Sequence, residues 1–306
     1  MPQLHNIGED ALISQITSAL AQRDNVIIGP GDDCAVVVGD AEYDTLLKTD
    51  CVIENVHYLS GENPYWVGWK AVARVVSDFA AMGGRPEALV ITIILSRETE
   101  TEDVKMLYTG MQACAERFQV SIVGGETSQL PSGQSGNIIS VAGTGKVEKG
   151  RAVLRSGAQQ GDHIYVTGKL GGSLAGHHLT FIPRVDEAVW LSKYARVTSM
   201  MDLSDGLGKD LPRLSKASDV GFTLDFEKLP LNADCGIEQG ISDGEDYELI
   251  FTAPPLSESV LCAWAAAFPD TLLTQVGEVI GVDEQSTELT GGWEHFLPKS
   301  NESRSK

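Results

Sequence analysis

Apolar and polar positions along this chain alternate between a helical spacing and runs that suit strands. Leu12, Ile16 and Leu20 recur every four residues and predict a first helix. The run Cys34-Ala-Val-Val-Val38 follows Gly31-Asp32-Asp33 and predicts a strand. Tyr43 to Thr49 predicts a second strand after the turn at Gly39-Asp40. Over residues 66–82, Val72, Val75, Val76 and Phe79 share one helical face, and Gly83-Gly84 stops the helix. Arg85-Pro86 then leads into a strand rich in Val, Ile and Leu over 88–95. Val104, Leu107, Tyr108, Met111 and Phe118 predict the next helix. Val120 to Val123 reads as a short strand ending at Gly124-Gly125, and Ile138 to Gly145 as the last strand of this half.

The second half begins near Lys149-Gly150-Arg151. His163 to Thr167 predicts a strand, followed by a Gly-rich turn from Gly168 to Gly172 and a short helix. Leu207, Leu211 and Leu214 predict a helix, Phe222 to Phe226 and Tyr247 to Thr252 predict strands, and Leu261 to Phe268 predicts a helix. Asn301-Glu-Ser-Arg-Ser-Lys306 reads as a loose polar tail. There is no tandem repeat and no low-complexity linker. The pattern predicts an α/β or α+β fold in two domains, 1–149 and 150–306.

Composition narrows the function classes. The 306 residues are 42% hydrophobic and 22% charged, as in an ordinary globular chain, and suffice for a substantial core. No apolar run is long enough to span a membrane, and the N-terminal residues lack the basic and apolar segments of a signal peptide. Five scattered cysteines, with no C-x-x-C, suit a reducing cytoplasm. The net charge of −20 argues against nucleic acid or an anionic membrane as partner. It leaves open an anionic substrate bridged by divalent metal ions.

Acids and small polar residues recur where apolar runs end. Asp32-Asp33 precedes a strand, and Thr49-Asp50 closes the next; each is also an ordinary turn or strand end. Asp78, late in a helix, faces solvent, pairs with Arg74 four residues back, or serves as a ligand. Gly124-Gly125-Glu126-Thr127 permits close backbone approach to a phosphate, or is simply a tight turn. Asp202-Leu-Ser-Asp205-Gly206 sets two carboxylates three residues apart around Ser204, and Gly244-Glu-Asp-Tyr-Glu248 places three acids before a strand. His177-His178 read as surface or packing residues. The glycines at 168–172 do not have P-loop spacing, no G-x-G-x-x-G opens a helix, and no zinc spacing or G-x-S-x-G elbow is present. Oxygen-only ligands suit Mg²⁺, and several Mg²⁺ ions suit nucleotide phosphates.

In order along nearly the whole chain, nine segments resemble the thiamine-monophosphate kinase family, which shares a superfamily with aminoimidazole ribonucleotide synthetase and selenophosphate synthetase. The segments are Gly31-Asp-Asp-Cys-Ala35, Thr49-Asp50 with Asn55-Val-His57, Ser77-Asp-Phe-Ala-Ala-Met-Gly83 with Pro86, and Gly124-Gly-Glu-Thr127. They continue with Arg155-Ser-Gly-Ala158, Gly161-Asp162 with Tyr165-Val-Thr-Gly168, Asp202-Leu-Ser-Asp-Gly-Leu207, Gly244-Glu-Asp-Tyr-Glu-Leu249 and Gly292-Trp-Glu-His-Phe296. The resemblance implies ATP-dependent phosphorylation of thiamine monophosphate to thiamine diphosphate, by direct transfer with several Mg²⁺ ions. It implies an aminoimidazole ribonucleotide synthetase-like fold, whose N-terminal mixed sheet pairs in a homodimer beside a C-terminal α/β domain. Asp33, Thr49, Asp50, Asp78, Glu126, Asp202 and Asp205 would hold or assist the metals. Thr49, Gly125, Glu126, Arg155 and Ser204 would contact ATP, with Arg155 stabilising charge, and His57, Glu245 and Trp293 would contact the thiamine end. Three positions depart from the family pattern. Glu126 stands where Asp is usual, Lys48 where a small hydroxyl usually precedes Thr-Asp, and Asp243 where the first of two glycines is usual. The segment Phe181-Ile-Pro-Arg184 is also short and weakly matched.

Overall fold

The structure is a computed structural model that describes residues 3–296, so the polar tail expected at 301–306 lies outside the described residues. The first sheet contains β1 (Val26–Ile28), β2 (Ala35–Val37), β3 (Tyr43–Ile53), β4 (Arg85–Leu95), β5 (Ser121–Gln129) and β6 (Ile138–Glu148). Its order is β1-β2-β3-β6-β4-β5, antiparallel except for the parallel pair β4–β5. Helix α1 (Glu9–Thr17) precedes it, and α2 (Pro64–Ala81) and α3 (Thr101–Arg117) pack together along one side. The second sheet contains β7 (His163–Thr167), β8 (Ser199–Asp202), β9 (Gly221–Leu224), β10 (Leu249–Ala253) and β11 (Leu273–Ile280). Its order is β8-β10-β7-β11-β9, antiparallel throughout. Helices α4 (His177–Thr180), α5 (Val185–Tyr194), α6 (Leu207–Ser218), α7 (Ile237–Ser242) and α8 (Glu258–Ala267) complete this half. The mixed α/β architecture expected from the alternating pattern is present.

Helix α2 is the central element. Asn63 caps it by accepting the Tyr65 N–H, Pro64 occupies its first turn, and Gly83 at φ 72 ends it. Fourteen of its eighteen residues are buried, so α2 is covered on every side rather than along one stripe. One side meets β3, β4 and β6, and the other meets α4, α5 and β8. Apolar residues from both halves join in one core around it, including Phe79, Val75, Ile91, Met200, Phe251 and Trp264. A second core, of Ile164, Leu211, Phe222, Ile250 and Val279, lies within the second half.

Several elements differ from the pattern-based expectation. β5 runs through Gly124-Gly125 instead of ending there, because a Cβ on Gly125 would collide with the Ile91 carbonyl of β4. Helix α1 buries none of its residues, and Leu20 lies beyond its end. Strand β9 stops at Leu224, and Phe226 begins a 3₁₀ turn capped by Asp225. Strands β1, β8 and β11 and helices α5 and α7 fall outside the pattern-based expectation. β8 is buried at all four positions and shows no alternation, while a register shift between Gln275 and Gly277 breaks the period in β11.

The face of the first sheet away from α2 is open. Leu47, Val90 and Val123 on it are 41%, 45% and 65% exposed, beside Thr49, Ala142 and Thr144. Among the described residues no helix is long and apolar enough to cross a membrane.

Helices α2 and α3 cross through two glycines. A Cβ on Gly68 would strike the Leu107 carbonyl, and one on Gly110 would strike the Tyr65 carbonyl. Gly110→Ala must push α3 away from α2, so we expect a loss of about 1–3 kcal/mol in urea unfolding. Unchanged stability would show that the crossing tolerates the methyl group.

Candidate active site

Asp33 precedes β2, Asp78 lies on α2 and Asp202 ends β8, yet one carboxylate oxygen from each lies within 4.8 Å of the others. All three residues are buried. The Lys48 ammonium reaches Asp78 Oδ1 at 2.7 Å, the Arg155 guanidinium pairs with Asp33, and the Ser77 hydroxyl donates to Asp202. Burial, together with the nearby Asp33, raises the Asp202 carboxyl to about 6. Burial also pushes Asp78 well up; Lys48 opposes this, while Asp202, Asp50 and Asp33 add to it.

A divalent cation fits these residues. Asp33 Oδ2 is buried without a hydrogen-bond partner, an arrangement that costs free energy unless a cation or donor meets it. The donors are all carboxylate oxygens, the set that hard ions such as Mg²⁺ select.

The other acids and polar residues singled out in the sequence lie around or away from this cluster. Asp50 accepts two bonds from Arg74, at 2.9 and 3.1 Å, and lies on the same face of β3 as Lys48. Arg74 therefore pairs with Asp50, and Asp78 with Lys48. Thr49 points to the opposite, open face of the sheet. Glu126 pairs in register with Thr92 on β4, is exposed, and accepts from Ser128 at 3.1 Å. Three strand spacings separate β3 from β5, about 14 Å, so Glu126 and Gly125 are not brought to the carboxylate cluster of their own chain. Asp205 follows Ser204 in the turn after β8, where Arg213 and Lys209 hold it at 2.6 and 3.3 Å.

At the other end of α2, His57, Glu245 and Trp293 are connected through shared neighbours. Glu245 sits at φ 56, a conformation costly for a residue with a Cβ. Its carboxylate meets Lys70 at 2.7 Å, His178 at 3.3 Å and Arg74 at 3.9 Å. Burial alone would raise the Glu245 pKa, but His178, Lys70 and Arg74 outweigh it and hold the group down to about 2. Burial, aided by the Arg74 charge, pushes His57 down to about 4, so its imidazole is neutral near pH 7. The His57 ring lies 5.8 Å from that of His295, which meets the Trp293 ring edge-on at 5.7 Å. The Trp293 N–H donates to the Asp205 carbonyl, and its own carbonyl accepts from Lys209.

Lys70 and His178 escaped the sequence reading. Lys70 is fully buried, and it donates to the His57 carbonyl and to Glu245 and contacts His178 Nδ1 at 2.9 Å. The signal was present: Lys70, Arg74 and Asp78 recur every four residues in an otherwise apolar helix, so they share one face. His178, expected as a surface or packing residue, is buried beside Lys70 and Glu245.

A family profile described as "AIR synthase related protein, N-terminal domain" matches residues 31–147. That stretch of the chain, which carries the first sheet, is thus similar to AIR synthase-related N-terminal domains. Thiamine-monophosphate kinase of Rhodopirellula baltica is 34% identical, over 89% of this chain and 90% of that one. Thiamine-monophosphate kinase of Aquifex aeolicus is also 34% identical, over 96% of this chain and all of that one. A solved structure described as AaThiL complexed with AMPPCP and TMP superposes with a TM-score of 0.81 at 32% identity, covering 96% of this chain and 99% of its own. The chain belongs to the thiamine-monophosphate kinase family.

Asp202 generates a stability prediction. Its folded pKa of about 6 exceeds the ordinary 3.8, so the folded chain holds its proton more tightly than the unfolded one. The stability it contributes is complete below 3.8 and is lost as pH rises through about 6. Without metal, Asp202→Asn should gain about 1–3 kcal/mol over wild type at pH 8 and little at pH 4. Urea unfolding in a chelator at both pH values checks this, and a variant less stable at pH 8 contradicts it.

Proposed function

We propose that this protein transfers the γ-phosphoryl group of ATP to the phosphate of thiamine monophosphate, giving thiamine diphosphate and ADP. The observation that carries the reading is the opposition of the two ends of α2. A cluster of carboxylates suited to metal and phosphate lies at one end, and an ionised carboxylate with aromatic rings lies at the other. The relative solved with an ATP analogue and TMP supports the same pairing.

A thiazolium ring is cationic and aromatic, so the Glu245 charge and the rings of His57 and Trp293 suit it. The acceptor phosphate is largely ionised near neutral pH and needs no strong base. One of its oxygens bonds to the γ-phosphorus as the bond to the β–γ bridging oxygen breaks, with the two oxygens in line. Mg²⁺ ions held by Asp33, Asp78 and Asp202, joined on the family resemblance by Asp50 and Asp205, would neutralise phosphate charge and set that alignment. Arg155, anchored on Asp33, presents its charge toward the transferring group, and Ser204 lies next to Asp205 for a contact with the nucleotide.

We place Gly125, Glu126 and Thr49 in a dimeric arrangement. Residues 1–149 would form a metal-binding and dimerisation domain, and 150–306 a domain that completes the site. The open face bearing Leu47, Val90 and Val123 suits a second copy of this chain. Such a copy would bring Glu126 toward a site its own chain does not reach. The unpaired cysteines suit a cytoplasmic enzyme.

The direct test is ATP consumption with thiamine monophosphate, with and without Mg²⁺. Product is expected only with Mg²⁺, and Asp205→Asn should fold, bind ATP and lose turnover by about 100-fold or more. A binder that makes no thiamine diphosphate would end the kinase reading. Mixing also tests the shared site: inactive Asp33→Asn and Glu126→Gln chains, refolded together, should recover about a quarter of wild-type turnover. No recovery from proven heterodimers would place Glu126 in the site of its own chain.

A further inference from the structure

Within the carboxylate cluster stands one residue whose type the site does not explain by ligation. Lys48 projects from β3 toward α2, with its side chain 23% exposed, and its ammonium lies 2.7 Å from Asp78 Oδ1. Two residues along the same strand face, Asp50 brings a second carboxylate into its field. Asp33 and Asp202 form the rest of the cluster with Asp78. The other two cations are committed elsewhere, Arg74 to Asp50 and Arg155 to Asp33.

We infer that the Lys48 ammonium occupies one of the cation positions of this site. In this chain a tethered side chain thus supplies a charge that a bound divalent ion would otherwise provide beside Asp78. A lysine ammonium is a compact, strongly hydrated point charge, closer to a metal ion in its demands than a guanidinium is. The substitution is unequal. One positive charge replaces two, and an ammonium donates hydrogen bonds but cannot coordinate a phosphate oxygen as a metal does. It engages Asp78 through Oδ1 and leaves Asp33 Oδ2, buried without a partner, for an exchangeable ion.

The inference rests on the metal reading of the proposed function, and a metal count separates the two. Mn²⁺ binding to the full chain, followed by the electron paramagnetic resonance of free Mn²⁺, needs no turnover. Lys48→Ser should bind about one more Mn²⁺ per chain than wild type, whereas Lys48→Arg should match wild type. Equal counts in Lys48→Ser and a metal-binding wild type would overturn the inference and spare the metal reading. A wild type that binds no Mn²⁺ overturns the metal reading, and a gain in Lys48→Ser would still uphold the role of Lys48. No binding by either overturns both. Thermal unfolding covers a variant that folds poorly without metal: Mg²⁺ should raise the Tm of Lys48→Ser by more than that of wild type. An equal or smaller rise would count against the inference.

Discussion

Mutual repulsion among buried carboxylates is the constraint around which the rest of the molecule is arranged. Asp33, Asp78 and Asp202 come from three elements separated by up to about half the chain, and bringing their oxygens within 4.8 Å opposes folding. Such a cluster persists only where the surrounding structure leaves no alternative. Here the rigid surround is α2, buried on every side, and the apolar core that joins Phe79 and Val75 to Met200 and Phe251. The hydrophobic core therefore holds in place three carboxylates that their own repulsion would drive apart.

The same helix carries the opposite electrostatic balance one end away. Around Glu245, Lys70, Arg74 and His178 surround a single carboxylate, and it stays ionised far below the usual range. Around Asp202 the nearby Asp33 charge adds to burial, and protonation is favoured. Burial acts in the same direction at both ends, so the difference lies in which neighbours each carboxylate has. On the proposed reading, one end would receive a cation that is part of an organic molecule, and the other a cation that is free in solution.

Much of this is legible in the sequence itself. Long elements with a clear period, such as α2 and β4, stood out, and the recurrence of acids at strand ends pointed to oxygen ligands. Short or fully buried elements did not: β8 has four residues and no alternation, although Asp202 ends it. Partnership was harder still. Asp78 and Lys48 are thirty residues apart, and their contact depends on how β3 lies on α2, which no local spacing encodes. The side of a strand was legible in principle. Thr49 and Asp50 are adjacent, and a period of two must send them to opposite faces. His178 resisted reading because its environment is made by Lys70 and Glu245, one far upstream and the other far downstream.

The placement of Lys70 and Asp78 on one face of α2 has a metric consequence. Eight residues of helix separate them, about 12 Å of rise. A helix buried on all sides neither stretches nor slides readily, so the interval between the Glu245 end and the carboxylate end is built into the backbone. On the proposed reading, acceptors are then selected by length as well as by charge. A molecule with the right ring and the right phosphate, joined by a spacer a few ångströms too long or too short, could engage either terminus of this gauge but not both together.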